Sequence, residues 1–148
     1  MNGRLSHVRK GNALRLSKGA AALELALVLP LLLLLAAGAA DFGRIAHAYI
    51  ALSNATRTGA EYGSRHSFTT FTRPSWEEQI TLSVQREAEG TPTLDTNQLA
   101  VEISTVTDGD ELFRVAVVGR LPFRTTIAWP WLPQVVNLAH RVEMRQIR

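Results

Sequence analysis

The most prominent pattern in the chain is an uninterrupted apolar run from Ala20 to Ala40. The run contains one charged side chain, Glu24, and one proline, Pro30. As an α-helix rising about 1.5 Å per residue, it would span roughly 31 Å, close to the hydrocarbon thickness of a bilayer. Its length and composition therefore predict a transmembrane helix over residues 20–40.

A helical period continues beyond the apolar run, through residues 41–66. Small or apolar residues recur there at steps of three and four, which is typical of a helix with one packed face. These positions are Phe42, Ile45, Tyr49, Leu52, Thr56 and Gly59. We therefore expect the helix to extend past the membrane as a stalk. Gly59 and Gly63 have the GxxxG spacing of helix association, whose meaning outside a membrane is weak.

A second helix is predicted after a loop at residues 67–74. Ser75 and Glu78 match a capping box, in which each side chain reaches a backbone N–H group of the first helical turn. The following residues place an apolar side chain on one face at every fourth position. That face consists of Trp76, Ile80, Val84 and Ala88. Gly90 and Pro92 then predict the end of the helix.

Alternating residues in the C-terminal part of the chain predict a small antiparallel sheet. Residues 99–105 alternate between apolar and polar side chains, a turn signal follows at residues 108–110, and residues 112–118 fit the returning strand of a hairpin. After a connection at residues 122–133, the alternation over residues 138–144 indicates a last strand.

Together these elements predict an α+β fold, with a long N-terminal helix followed by a second helix and the sheet. They divide the chain into four segments. These are a basic leader at residues 1–19, a transmembrane helix at 20–40, a helical stalk at 41–66 and a small α+β extracytoplasmic domain at 67–148.

Charge is distributed unevenly along the chain. The leader holds five cations and no acid, and these cations are Arg4, Arg9, Lys10, Arg15 and Lys18. By the positive-inside rule, they keep the leader in the cytoplasm and send the C-terminal part across the membrane. From Asp41 onward, 11 arginines face 12 acidic residues, so the net charge of +3 comes from the leader. The folded part therefore has no basic excess of the kind that binds nucleic acid.

The same charge pattern fits two other kinds of targeting segment. One is a secretory signal peptide cleaved at the small residues 36–40, and the other is a plain anchor whose Glu24 merely reaches the headgroups. The apolar run is longer than the usual 7 to 15 residues of a signal peptide. A carboxylate at mid-bilayer also costs about 2.5–3.5 kcal/mol, and an ordinary signal peptide has no use for it.

Residues that would carry catalysis or hold a cofactor are hard to identify in the sequence. The chain has no cysteine, which excludes disulfides, thiol catalysis and cysteine-ligated zinc. The four histidines lack metal-ligand spacing, and no glycine-rich phosphate loop follows a strand. The acidic residues at 77–78 and 108–111 fit a helix N-terminus and a turn. We therefore expect no enzymatic activity and no cofactor, and we leave Trp129 and Trp131 open between core residues and a recognition element.

The border between the leader and the apolar run carries a resemblance to a known family. Gly19 is followed at the fifth position by Glu24, which resembles a type IV prepilin processing site. Pro30 then follows the first apolar turns, and Asp41-Phe-Gly-Arg44 follows the apolar run. This combination resembles the TadE family, the pseudopilins or minor pilins of the tight-adherence (Tad or Flp) pilus. Other TadE-like proteins share the same N-terminal module.

The resemblance implies a processing site and a set of partners. A prepilin peptidase would cut after Gly19 and leave Ala20 as the new N-terminus. Glu24 would then pair with the N-terminal amine of a neighbouring subunit. The protein would lie in the bacterial inner membrane with its N-terminus inside, and would contact other Tad pilins and platform proteins through the N-terminal helix. Its role would be assembly of pili for adhesion and biofilm formation, and the alternative is a secreted or membrane-anchored binding module.

Overall fold

The computed structural model describes the backbone of residues 10–91, 94–108, 112–127 and 133–146, and the side chains of residues 19–91, 94–107, 114–127 and 133–146. The elements in chain order are two α-helices, a short 3₁₀ helix and three β-strands. Their bounds are α1 Lys10–Arg65, α2 Arg73–Glu89, the 3₁₀ helix Thr96–Gln98, β1 Ala100–Asp108, β2 Leu112–Arg124 and β3 Val135–Arg145. The chain divides into two compact units, Met1–Ala40 and Asp41–Arg148.

In the first unit, the described side chains belong to α1 and are almost all exposed. Pro30 lies inside the helix, where it removes one backbone hydrogen bond. Proline is tolerated in this way more readily in apolar, membrane-type helices than in water-exposed ones.

In the second unit, the C-terminal part of α1 forms one wall of the hydrophobic core. Its fully buried residues recur at steps of three and four, with Ala55 and Thr56 adjacent, and are Ala48, Leu52, Ala55, Thr56 and Ala60. The expected packed face is present at Leu52, Thr56 and Gly59, but Phe42 and Tyr49 do not belong to it and are 73% and 42% exposed. The buried face is built mainly from alanines and glycines, which a pattern of large apolar side chains does not reveal.

Two glycines on this face allow α2 and the sheet to approach α1 closely. A Cβ atom on Gly59 would overlap Cγ2 of Val84 on α2. On Gly63 it would lie 2.8 Å from Cδ1 of Ile80 and 2.9 Å from Cγ1 of Val115 on β2. Gly59 and Gly63 therefore allow close packing inside the domain. Their GxxxG spacing alone did not indicate this role.

Helix α2 buries the face that its sequence predicts, but it begins earlier than expected. Its buried residues are Trp76, Ile80, Val84 and Ala88. The capping box at Ser75 and Glu78 is wrong, because α2 starts at Arg73 and its N-cap is Thr72. The Ser75 hydroxyl donates to the carbonyl of Thr72 instead, at 3.0 Å. Glu89 ends the helix and Gly90 is its C-cap, as predicted.

The turn before α2 explains why it starts early. The backbone N–H of Thr69 donates to Oγ1 of Thr72 at 2.8 Å, and the N–H of Thr72 donates to Oγ1 of Thr69 at 3.3 Å. The two threonines thus close the turn reciprocally, as a capping box would, but six residues before the predicted pair of Ser75 and Glu78.

The three strands form one antiparallel sheet in the order β1-β2-β3. Leu99, Val101, Ile103 and Thr105 are half-buried and alternate with exposed residues, as predicted for β1. The last strand also alternates as predicted, and its most buried residue is Leu138. The turn residues 109–110, and Trp129 and Trp131, lie outside the described residues.

Strand β2 continues six residues past the predicted end at Val118, through Pro122 to Arg124. A proline is unfavourable in a central strand because it cannot donate a ladder hydrogen bond. The pairing of β1 with β2 ends at Arg120, however, and Pro122 pairs only with Asn137 of β3 in the described ladders. Pro122 therefore occupies an edge of the sheet, which is why the strand tolerates it.

Strand β2 runs antiparallel to α1 along the whole core. Val115 lies at Gly63, and a Cβ atom on Gly119 would lie 2.6 Å from Oγ1 of Thr56. Further along, the Phe123 ring lies beneath the guanidinium of Arg44. The rise from Gly63 to Asp41 along a helix, about 33 Å, is close to the extended reach of the 11 residues that follow Val115, about 36 Å. The end of β2 therefore arrives at Asp41.

Candidate functional site

The apolar segment of α1 presents large side chains to its surroundings on all sides. Its leucines and valine between residues 23 and 35 are each 43% to 78% exposed in the isolated chain. They are Leu23, Leu25, Leu27, Val28, Leu29, Leu31, Leu32, Leu33, Leu34 and Leu35. A helix that is apolar all round is normally buried in a protein core or in a membrane.

Within the described part of the chain, one helical stretch, Gly19–Arg65, is long and apolar enough to cross a membrane. Its most apolar window has a mean hydropathy of 2.5, and none of that window is buried within the protein. The segment is therefore compatible with a single membrane anchor near the N-terminus.

The predicted processing residues lie on this exposed helix. Gly19, Ala20 and Glu24 are all exposed, and a Cβ atom on Gly19 would meet nothing within 4 Å. Ala20 and Glu24 are four residues apart, so they lie on the same side of the helix, one turn from each other. The structure therefore places Gly19 and Glu24 on one accessible segment.

The predicted topology-determining cations are only partly covered by the structure. Arg4 and Arg9 lie outside the described residues. Lys10, Arg15 and Lys18 lie in α1, where the structure describes their backbone but not their side chains.

A second constellation lies within the second unit, at its first residue, Asp41. Asp41 is 5% exposed, and its carboxylate accepts hydrogen bonds from the backbone of the loop after β2. The N–H of Thr126 donates to Oδ1 at 3.1 Å and to Oδ2 at 3.2 Å, and the N–H of Ile127 donates to Oδ2 at 3.3 Å. We call this arrangement the Asp41 anchor.

Arg44 completes the anchor one turn along the helix. Its guanidinium donates to Oδ1 of Asp41 at 3.1 Å and also to Oγ1 of Thr126. The same guanidinium lies over the Phe123 ring, 5.1 Å from the ring centroid. A buried carboxylate is costly unless it is paired and hydrogen-bonded, and Arg44 together with two backbone amides meets both needs.

A third polar cluster fixes β3 against α1. The Tyr49 hydroxyl lies 3.1 Å from Nδ1 of His140, and the Ser53 hydroxyl lies 3.1 Å from Nε2. The Tyr49 and His140 rings are also in edge contact, with centroids 5.6 Å apart. His140 is thus held from both ring nitrogens by one face of α1, which indicates a docking role for it.

The exposed apolar helix, the Gly19 and Glu24 spacing, and the Asp41 and Arg44 side chains of the anchor all lie within one continuous stretch of sequence. Residues 19–61 match the TadE-like protein family. The match begins at Gly19 and therefore includes Glu24, the apolar segment, Asp41 and Arg44. The TadE-like family is a family of pilin-type structural proteins.

The TadE-like match ends on α1, before α2 and the sheet begin. No curated protein and no solved structure matches the chain. The contacts between the TadE-like segment and the sheet are therefore known from the structure and not from the family match.

Sequence reasoning quoted Asp41 and Arg44 as a motif but did not find what they bind. Their partners, Thr126 and Ile127, act through backbone N–H groups that leave no mark in the sequence. One available signal was an acidic residue directly after an apolar run with arginine three positions later, which is the spacing of a helix-surface ion pair.

Proposed function

We propose that this protein is a TadE-like minor pilin or pseudopilin that takes part in assembling a Tad pilus, which serves adhesion and biofilm formation. The observation that carries the proposal is that the TadE-like match, which starts at Gly19, covers the exposed, all-round apolar segment of α1. A helix of this kind needs lipid or neighbouring helices to cover it.

The proposed topology places residues 1–19 in the cytoplasm and residues 20–40 across the bacterial inner membrane. Residues 41–66 form the stalk, and residues 67–148 form the extracytoplasmic domain. The excess of cations before the apolar segment supports this orientation. The same helix would pack against other Tad pilins and platform proteins when the subunit enters a pilus.

The proposed maturation step is hydrolysis of the peptide bond between Gly19 and Ala20 by a prepilin peptidase. Gly19 is exposed and has open space around its Cα. A residue without Cβ most readily leaves helical geometry and adopts the extended backbone that a protease cleft requires. The new amine at Ala20 would lie one helical turn from the Glu24 carboxylate, and Glu24 would pair with the amine of a neighbouring subunit, which offsets the cost of its charge in lipid.

The experiment that tests the proposal is determination of the mature N-terminus, in a strain that carries a Tad system and its prepilin peptidase. We expect intact mass and N-terminal sequencing to give a chain that begins at Ala20 and stays in the membrane fraction. A chain beginning near Asp41 would show signal peptidase cleavage and would overturn the proposal. An uncleaved chain beginning at Met1 would leave a plain single-pass anchor.

A further inference from the structure

The loop after β2 lies beside the point where the apolar segment ends. Thr126 and Ile127 donate their backbone N–H groups to Asp41, and Asp41 is the residue directly after Ala40. If residues 20–40 cross the membrane, the chain leaves the bilayer at Asp41. Residues hydrogen-bonded to Asp41 must then lie within a few ångströms of the lipid headgroups.

This end of the second unit exposes apolar side chains. Phe42 is 73% exposed, Ile127 is 38% exposed and Val135 is 40% exposed. Phe42 is the neighbour of Asp41 along α1, Ile127 is bonded to Asp41, and Val135 pairs with Arg124 at the end of β2. All three therefore belong to the Asp41 end of the domain.

Cationic side chains accompany these apolar groups. Arg124 is exposed, and the side chain of Arg44 is 49% exposed although it is bonded to Asp41 and Thr126. A guanidinium has five N–H donors, so the exposed side of Arg44 can still donate to a phosphate. Asp41 contributes no exposed negative charge here, because its carboxylate is buried and paired.

We infer that Phe42, Arg44, Arg124, Ile127 and Val135 form a collar that rests on the phospholipid surface where the chain leaves the membrane. The inference builds on the proposed membrane anchoring and adds a second contact between the protein and lipid. Apolar side chains among arginines are the composition of surfaces that lie in the headgroup region, with apolar groups reaching inward and cations meeting phosphates.

The collar is joined to the apolar segment through Asp41, and this continuity favours lipid over a protein as the partner of the collar. Asp41 is covalently joined to the segment and is locked to the loop, so the collar cannot move far from the membrane while the segment stays inserted. The collar would thereby fix the height of the domain above the membrane until the subunit is withdrawn.

The test uses the full chain in liposomes of phosphatidylcholine and phosphatidylglycerol. The protein has no cysteine, so single cysteines can be introduced and labelled with an environment-sensitive fluorophore without background. Ile127→Cys reports on the collar, and Val106→Cys is the matched control, an exposed aliphatic residue of β1 beside the opposite end of β2. Leu33→Cys reports on insertion of the apolar segment.

We expect a nitroxide attached near the headgroup end of the lipid chains to quench most of the fluorescence at position 127 and little at 106. Arg124→Gln should reduce quenching at 127, and so should vesicles of phosphatidylcholine alone. Equal, weak quenching at 127 and 106, with Leu33 quenched by deep nitroxides, would overturn the collar but leave the anchoring intact. Cross-linking between two copies at 127 without lipid quenching would assign the surface to a second copy and would also overturn it. Absence of quenching at Leu33 would overturn the anchoring, and the collar with it.

Discussion

The carboxylate of Asp41 accepts the backbone N–H of Thr126, 85 residues further along the chain, through both of its oxygens. This contact ties the start of the second unit to the end of its central strand. Asp41 is buried, and its loss would leave the N–H groups of Thr126 and Ile127 and the guanidinium of Arg44 without this acceptor. The Asp41 anchor should therefore contribute to the stability of the whole α+β domain.

We predict that Asp41→Ala lowers the free energy of unfolding by about 1.5–3 kcal/mol, the usual net contribution of a hydrogen bond to a charged group. Asp41→Asn should cost less, because its amide oxygen can still accept one of the N–H groups. Urea unfolding of a soluble fragment of residues 39–148, followed by tryptophan fluorescence, measures both. The fragment should show the mixed helix and strand signal of the fold by circular dichroism.

A matched control for Asp41 is Glu143→Ala, which removes a carboxylate from an exposed ion pair. Glu143 lies 2.5 Å from Arg141, with both side chains about half exposed. Exposed pairs contribute about 0–1 kcal/mol. Equal losses in Asp41→Ala and Glu143→Ala would show that the anchor has no special role.

Replacing glycine by alanine in α1 should have opposite effects on stability at different positions. Gly59→Ala and Gly63→Ala should each destabilise the fragment by about 1–3 kcal/mol, because the new methyl group must push apart packed side chains of α2 and β2. Gly43→Ala meets nothing within 4 Å and should stabilise the helix by up to about 1 kcal/mol. Urea midpoints of the three variants check this. A gain in stability at Gly59 would contradict the close approach of α2.

Docking of β3 through His140 can be measured with a double-mutant cycle. Ser53→Ala and His140→Phe each remove the hydrogen bond between these side chains, so their effects should not add. We expect a coupling energy of about 0.5–1.5 kcal/mol, the net value of one hydrogen bond. Additive effects would mean that the two groups interact equally well with water.

The secondary structure of this protein could largely be predicted because each element follows a local period. The spacing of apolar residues directly predicts the buried face of α2 from Trp76 to Ala88 and the alternation around Leu138. A prediction was wrong where tertiary structure overrides a local sequence rule, as it does at the end of β2. The sequence predicts that β2 ends at Val118 and that Pro122 belongs to the following connection, yet Pro122 lies in β2 where the described sheet has only one neighbouring strand.

The candidate site also contains residues that the sequence predicts and residues that it does not. Gly19 and Glu24 could be chosen from spacing alone, and their roles stay predictions. The Asp41 anchor could not be derived, because its partners are backbone amides brought there by the path of β2. The close packing at Gly59 was also hidden, since spacing does not show which glycines face a neighbouring helix and which, like Gly43, face open space.

Processing at Gly19 predicts that Gly19→Val abolishes removal of the leader. Valine places a β-branched side chain where the peptidase would accommodate hydrogen. Gly43→Val is the matched control, a substitution of another open glycine on the same helix, and should leave processing unchanged. The measurement is intact mass of the protein from the membrane fraction. Normal leader removal with Gly19→Val would place the scissile bond elsewhere.

Glu24 should affect assembly without affecting insertion. Replacing a carboxylate by leucine lowers the cost of placing the helix in lipid, by roughly 2–3 kcal/mol or less since the residue lies near one end of the apolar segment. Glu24→Leu should therefore stay in the membrane after alkaline extraction. It would lose the acceptor for the amine of a neighbouring Ala20, and we predict that it does not support piliation, whether or not the leader is removed. Glu24→Asp keeps the charge and should restore at least part of the assembly. Pili are scored by shear fractionation in a strain that lacks the native copy, and normal piliation with Glu24→Leu would refute the assembly role.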